Sequence, residues 1–479
     1  MNSTQREAFY ITTTLPYVNA APHIGFAWEI VLADVRARME RAEGRDVVFN
    51  TGTDEHGAKI YEKAQEAKVP PQDYVDQYAK TFRELETLLN VSPTQFIRTT
   101  DAYHKAAAQE LWRRVDANGY IYKKTYYTKY CIGCELEKTD SELDHGRCPF
   151  HPDRPLQEGE EENYFFRFSA FQEPLLELYN RYTDFVVPQK RLNEVRSFVE
   201  RGLQDFSISR LRRKVPWGVP VPGDDEHVMY VWFDALTNYI STLHWPDDED
   251  RFVRFWGTPT EPRAIQIAGK DNLRQQSAMW QAMLLAAGLP PSRQVFINGF
   301  ISVDGQKMSK SLGNVISPSE MVERYGVDGT RYVLLTLSAF GDDSDLSWDR
   351  MDATYTADLV NGLGNLVRRI AALTPEGMTP SDGSARIAEM KARIIPLVRR
   401  MEMREALAVI WEMVNEMNTR MEQQAPWTLR KTDPEAYQTV MQSFVDDVAV
   451  LGTVIRPFLP QTAEAIIQRQ NTLLFERCS

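Results

Sequence analysis

The chain is 479 residues long, 43% hydrophobic and 25% charged, with a formal net charge of −12. That composition fits a globular protein of about three domains at ~150 residues each, and it excludes a disordered, collagen-like or disulfide-scaffold chain. No apolar run approaches the ~20 residues of a membrane span, Met1 to Glu7 lack the apolar stretch of a secretion signal, and the acidic balance argues against blanket phosphate binding on DNA. The expectation is a cytoplasmic protein with no membrane and no DNA partner.

In chain order, Ala8 to Thr13 is a short apolar, β-branched strand, broken by Pro16, Asn19 and Pro22. A helix follows from Ile24 to Glu43, where Ala27, Ile30 and Val31 mark the apolar face and Asp34 and Arg38 the charged one, and Gly44 stops it. Asp46 to Thr51 reads as a second strand. It leads into the polar cluster Gly52-Thr53-Asp54-Glu55-His56-Gly57 and another helix from Ala58. Strands alternating with helices at this spacing predict an α/β domain with a parallel sheet. From about Tyr120 the character changes to a half-exposed strand, a cysteine cluster and a Pro- and Glu-rich stretch, so 119–225 reads as an insertion between two halves of that domain. The sheet pattern resumes at Met229 to Phe233, Ala264 to Ala268 and Val295 to Ile297. After Ser347 the chain reads as helical. Leu407, Ile410, Val414, Met417 and Met421 form one amphipathic stripe and Met441, Phe444, Val448, Leu451 and Ile455 another, as in a helical bundle. The methionines there read as core packing rather than a cofactor site, and Thr374 to Ser384 reads as a loop.

Three of the four cysteines cluster. Cys131-Ile132-Gly133-Cys134 and Cys148-Pro149-Phe150-His151 are two knuckles, and the donor set Cys131, Cys134, Cys148 and His151 suits one closed, structural tetrahedral Zn²⁺. His145 is a competing ligand; the spacing of His151 from Cys148 mirrors the first knuckle.

Two further segments point to phosphate chemistry. Pro22-His23-Ile24-Gly25-Phe26 turns from the first strand into the first helix, where free N–H groups and the helix dipole favour a phosphate, and Gly25 permits close approach. Gly305-Gln306-Lys307-Met308-Ser309-Lys310-Ser311-Leu312-Gly313-Asn314 is a cationic loop suited to closing over a polyphosphate.

This early histidine motif and late Lys-Met-Ser-Lys-Ser run are the signature pair of the class I aminoacyl-tRNA synthetases. Leu15-Pro16-Tyr17-Val18-Asn19, the Gly52 to Gly57 segment, Tyr230-Val231-Trp232-Phe233-Asp234-Ala235 and Gly269-Lys270-Asp271 are similar to those of the methionyl-tRNA synthetase family, across Tyr10 to about Pro460. The resemblance implies a Rossmann-type catalytic domain in two halves, 1–118 and 226–300, split by the zinc-binding connective insertion 119–225. A KMSKS loop and stem-contact region, 301–355, and an all-α anticodon-binding bundle, 356–479, would follow. The small insertion argues against the leucine, isoleucine and valine siblings, which carry editing domains there.

By the same resemblance, His23, Lys307 and Lys310 are catalytic, and Gly25, Asp271 and Ser309 join them in binding ATP with its Mg²⁺. Leu15, Tyr17, Asp54, Trp232, Ala235, Tyr239 and Gln276 contact methionine, Asp54 through its α-ammonium group; a helix N-cap is the plainer role for Asp54. Trp232 and Tyr239 are seven apart, two helical turns, and so are able to share a face. Asn365 and Arg369, on one helix face, and Trp427 match the positions that read anticodon bases of tRNA(Met). The implied activity is ATP-dependent attachment of methionine to tRNA through a methionyl-adenylate, by a monomer. The chain departs from the family at Phe26, where a second histidine is usual, at Gln275 and Gln276, which replace an aromatic–histidine pair, and at Asn298, where a histidine is frequent. These changes mark a divergent branch. They also keep open a related ligase for another amino acid and a non-catalytic tRNA-binding paralogue.

Overall fold

Buried apolar runs between residues 8 and 298 assemble into one parallel sheet. The structure is a computed structural model, and it describes residues 6–19, 21–134, 136–138, 142–308, 314–468 and 474–476. Two compact units emerge, one of 1–21, 46–84 and 93–297, the other of 22–45, 85–92 and 298–479.

In the first unit six strands lie in the order Gln95–Arg98, Asp46–Thr53, Ala8–Thr12, Ile265–Gly269, Gln294–Asn298, Val186–Val187. Ala8–Thr12 is buried throughout and Asp46–Thr53 nearly so, the mark of a sheet covered on both faces. Order runs outward from Ala8–Thr12 in one direction and resumes from Ile265–Gly269 in the other. The reversal between them, at the carboxyl ends of the strands, is where open α/β sheets bind ligands. The edge strand Val186–Val187 comes from within 119–225 and pairs in parallel with Val295 and Phe296. Two residues carry no periodicity, so no sequence pattern marks it. The rest of that segment is dominated by a long antiparallel pair, Ile121–Cys131 with Gln157–Phe166.

The expected strand at Met229 to Phe233 is displaced. Asp224–Met229 is a strand, but in a separate small sheet with Ser209–Leu211 and Pro220–Val221, and Val231–Leu236 is helical, with Tyr230 as its extended N-cap. A short apolar run does not distinguish a buried strand from a buried helix. Among the described residues no helix is long and apolar enough to cross a membrane.

Among the described residues the second unit is helical apart from a small sheet of Ile301–Val303, Gln306–Lys307 and Ser344–Leu346 and the connecting turns. The two predicted stripes lie on Met403–Gln424 and Pro434–Ile455, and Leu407, Ile410, Val414, Met417 and Met421 are all buried. At its heart is an ion pair. Asp34, on helix Ile24–Ala42, and Arg331, on helix Pro318–Leu337, are 2.8 Å apart with both side chains fully enclosed. Arg331 also donates to the carbonyls of Phe458, Pro457, Leu89 and Asn90, so all five guanidinium N–H groups meet an acceptor. Asp34 accepts in addition from Arg38 and from the backbone and hydroxyl of Ser92. Burial pushes the Asp34 carboxyl up, but Arg331, Arg38 and Ser92 outweigh it and hold it below its ordinary value.

Removing one partner of such a pair strands the other charge in the core. Arg331→Met is expected to cost about 3–5 kcal/mol, read as a lower urea midpoint of the helical unit. Because the folded pKa of Asp34 is depressed, its stabilising contribution is present above the unfolded value of about 3.9 and is lost as pH falls below it. The acid limb of a stability-versus-pH curve should therefore flatten in Asp34→Asn.

Candidate active site

The residues predicted to contact the amino acid lie in the first unit, where Asp54 follows the carboxyl end of Asp46–Thr53. The chain leaving Ala8–Thr12 stays extended, and Tyr17 forms a parallel bridge with Asp54, which follows Asp46–Thr53. Asp54 N donates to Pro16 O at 3.0 Å and Val18 N to Asp54 O at 3.2 Å. Pro16, Tyr17 and Val18 are thus laddered with Asp54, and Leu15 directly precedes them. Asp54 is buried, at 7% exposure. It is not a helix cap: helix Ala58–Ala67 begins at the N-cap Gly57.

Trp232, Ala235 and Tyr239 do not share one continuous helix. Val231–Leu236 and Asn238–Ser241 are two short helices joined through Thr237, which itself keeps right-handed helical dihedrals. Asn50, in the strand that leads to Asp54, donates to Asn238 Oδ1 and accepts from Thr242, and Tyr10 donates to the Tyr239 carbonyl. These bonds lock the segment to the sheet. Gln276 meets Tyr239: its amide nitrogen donates to the Tyr239 hydroxyl, and the residue is 2% exposed. It sits in a π-helical turn, Gln275–Met279, a geometry frequent at functional sites. Gln281 donates to the Gln276 carbonyl at 2.8 Å and is itself held by Ser292. Gln276 is therefore tied through its amide to the Tyr239 hydroxyl and through its carbonyl to Gln281. Trp280, 5.9 Å from the Tyr239 ring, supplies an aromatic wall.

Asp271 lies in the turn Lys270–Asn272, directly after Ile265–Gly269. A Cβ on Gly269 would stand 2.6 Å from Asp271 Oδ1, so the glycine lets that carboxylate fold back against the strand end.

The histidine turn and the lysine loop lie in the second unit. His23 is the N-cap of helix Ile24–Ala42, and its Nδ1 accepts from Gly25 N at 3.1 Å. An imidazole that accepts at Nδ1 carries its proton at Nε2, the nitrogen a bound anion would meet. A Cβ at position 25 would press on the ring at 2.9 Å, which explains Gly25. Ile24 N donates to Ile316 O at 3.2 Å, joining the histidine turn to the chain that follows the lysine loop. That loop opens as a hairpin: Ser302 pairs with Lys307 and Val303 with Gln306 across Asp304 and Gly305, both at positive φ, the Asp-Gly turn that matches strand twist. Ser309 and Lys310 lie outside the described residues, and Lys307 is described by its backbone alone.

The four predicted metal ligands converge. Cys131 Sγ, Cys134 Sγ, Cys148 Sγ and His151 Nδ1 lie within 4.8 Å of one another. The separations 3.4 Å for Cys134–Cys148, 3.3 Å for Cys134–His151, 3.8 Å for Cys131–His151 and 3.9 Å for Cys148–His151 bracket the tetrahedron edges of about 3.5–3.8 Å that Zn–S and Zn–N bonds of ~2.3 and ~2.0 Å generate. Gly133 is required, because a Cβ there would lie 2.5 Å from the His151 ring. Burial is the largest influence on both Cys134 and Cys148 and raises each; Cys134 reaches about 12, while hydrogen bonds from His151 and Cys134 draw Cys148 down to about 6. A cation would relieve that imbalance by holding every sulfur as thiolate. His145 is exposed and faces Asp144, outside the cluster.

In the helical bundle, Arg369 lies 5.1 Å from the Trp427 ring and pairs with Glu422 at 2.6 Å. Trp427 is 39% exposed, and Asn365 accepts from Arg368. An exposed indole beside a guanidinium is a surface on which an unpaired base can stack.

Sequence reasoning missed one cluster in the first unit. His56, His104 and Asp234 meet around a single buried carboxylate, at 2.6 and 2.8 Å. Two of these residues sit inside the quoted motifs, but no spacing announces that they meet.

The chain matches the family model of class I (M) tRNA synthetases over residues 9–159 and 153–371, and the model of the anticodon-binding domain of methionyl-tRNA ligase over 374–474. It is 41% identical to a methionine–tRNA ligase of Brucella suis, covering 96% of this chain and 91% of the relative. It is 39% identical to one from Thermotoga maritima, covering 96% and 75%. A Mycobacterium tuberculosis methionyl-tRNA synthetase in complex with methionyl-adenylate superposes with a TM-score of 0.88 at 37% identity, covering 96% of this chain and 93% of that one.

Proposed function

The chain belongs to the methionyl-tRNA synthetase family, and we propose that it joins methionine to tRNA(Met) with the residues described above in the following roles. It is an ATP-dependent ligase that forms a methionyl-adenylate and transfers the aminoacyl group to tRNA. The observation that carries this reading is the match to the family along the catalytic and anticodon-binding regions together.

In the first step the methionine carboxylate attacks the α-phosphate of Mg²⁺-ATP and pyrophosphate departs. Asp54, held in register with Tyr17, takes the α-ammonium group. Leu15, Trp232, Ala235 and Tyr239 enclose the side chain, a soft thioether that favours aromatic edges. Gln276 donates to the Tyr239 hydroxyl, which directs the hydroxyl's own proton away from Gln276. His23 presents Nε2–H to the phosphates, Gly25 lets the backbone approach, and Asp271 holds the ribose. Lys307, Ser309 and Lys310 follow the charge that grows on the leaving pyrophosphate. In the second step a terminal ribose hydroxyl of the tRNA accepts the aminoacyl group. Arg369, Asn365 and Trp427 read the anticodon.

We assign 119–225 as the connective insertion and its Cys131, Cys134, Cys148 and His151 as ligands of one structural Zn²⁺, with 356–479 as the anticodon-binding domain. A cytoplasmic monomer is the working form.

Lys310→Ala is expected to slow adenylate formation by about 10²–10³-fold in rapid-quench single turnovers while the Kd for methionine stays unchanged. A collapse of methionine binding with an intact chemical step would refute the role given to Lys310. Elemental analysis should find one zinc per chain, lost in Cys134→Ser, with new proteolytic cleavage confined to 119–225.

A further inference from the structure

The carboxylate of Asp234 has no part in the chemistry assigned above, yet it is fully enclosed. Burying a charge costs several kcal/mol unless it is paired and hydrogen-bonded, and an apolar side chain would fill the space without that cost. Here each oxygen takes one imidazole. His56 Nδ1 donates to Oδ2 at 2.6 Å and His104 Nε2 to Oδ1 at 2.8 Å. The second ring nitrogen of His104 meets Ser241 Oγ at 2.9 Å. The His56 ring lies 5.5 Å from Trp217, whose indole N–H donates to the Glu55 carbonyl at 2.6 Å. Burial acts first and raises the carboxyl, but the two histidines outweigh it and hold Asp234 at about 2, so it remains a carboxylate and accepts from both rings.

The cluster joins three elements: the loop after Asp46–Thr53, helix Ala102–Ala117 and the helical turn around 231–241. Asp54 stands two residues before His56. Trp232 and Ala235 flank Asp234, and Tyr239 is two residues before Ser241. Whatever fixes His56 on Asp234 therefore fixes the ammonium-binding carboxylate relative to the wall of the side-chain pocket.

We propose that His56, Asp234 and His104 are positioning residues for the amino acid, setting the spacing between Asp54 and the Trp232–Tyr239 wall. The proposal rests on the reading of Asp54 and Tyr239 as methionine contacts. It predicts an unusual substitution pattern, because the two imidazoles use different nitrogens. Asparagine places its amide near Nδ1 and glutamine near Nε2. His56→Asn and His104→Gln keep the donor to Asp234, whereas His56→Gln and His104→Asn misplace it.

The test is steady-state ATP–pyrophosphate exchange on the full-length chain with these four variants and Asp54→Asn, with melting temperatures recorded alongside. In His56→Gln and His104→Asn the KM for methionine should rise about 10-fold or more, with kcat and the KM for ATP within about 2-fold. His56→Asn and His104→Gln should restore the methionine KM. Four variants behaving alike, a parallel rise in the KM for ATP, or a fall in melting temperature alone would overturn the proposal. If the donor-misplacing variants do not fold, Ser241→Ala, which removes the hydroxyl from the far side of His104 together with a long 3.4 Å bond to the Asn238 carbonyl, should still raise the methionine KM selectively; no rise overturns the proposal. Flat histidine variants beside a responsive Asp54→Asn refute this inference alone. A flat Asp54→Asn refutes the site reading and this inference with it.

Discussion

The helical unit depends on a guanidinium that has no access to water. Arg331 is fully enclosed and places its N–H groups on Asp34 and on four backbone carbonyls. Those acceptors belong to helix Ile24–Ala42, the turn near residue 90 and the turn near residue 457. A planar fork with fixed donor directions accepts only one arrangement of these partners. Since Ile24–Ala42 begins after its N-cap His23 and Pro318–Leu337 follows the lysine loop, the same contact fixes the footings of both segments. The Ile24 to Ile316 hydrogen bond, between two buried residues, repeats that link.

The first unit around Asp54 and Tyr239 is organised on a different principle. Many of its segments are held by neutral amides and hydroxyls: Asn50 against Asn238 and Thr242, Gln276 against Tyr239, Gln281 against Ser292. Buried charge enters at the carboxylate between two imidazoles at Asp234 and at Glu55, paired with Arg98. A thioether carries no charge to be matched, so a pocket for it is specified by shape and by the orientation of a few dipoles, and an amide scaffold supplies both. In that light Gln276, which donates to the Tyr239 hydroxyl, is one of the dipoles that orient that side chain.

Much of this architecture is legible in the sequence. The parallel sheet follows from strands such as Asp46–Thr53 alternating with long helices, the bundle from two stripes at helical spacing, and the metal cluster from paired knuckles whose ligands are local in the chain. What is not legible is what periodicity does not encode. Val186–Val187 is too short for any pattern, and Val231–Leu236 is as apolar as the strand it resembles. His56, His104 and Asp234 meet only because the sheet brings distant segments together. His23 shows the intermediate case: its place before a helix is plain, but its use of Nδ1 as the cap, which leaves Nε2 to carry the proton, emerges only from the geometry.

The account stands on methionine being the amino acid that this scaffold activates. The most direct measurement is amino-acid-dependent ATP–pyrophosphate exchange by the purified protein, with each standard amino acid supplied separately. The account predicts exchange driven by methionine alone. Exchange driven by a different amino acid, or by none with folded and metal-loaded protein, would contradict it.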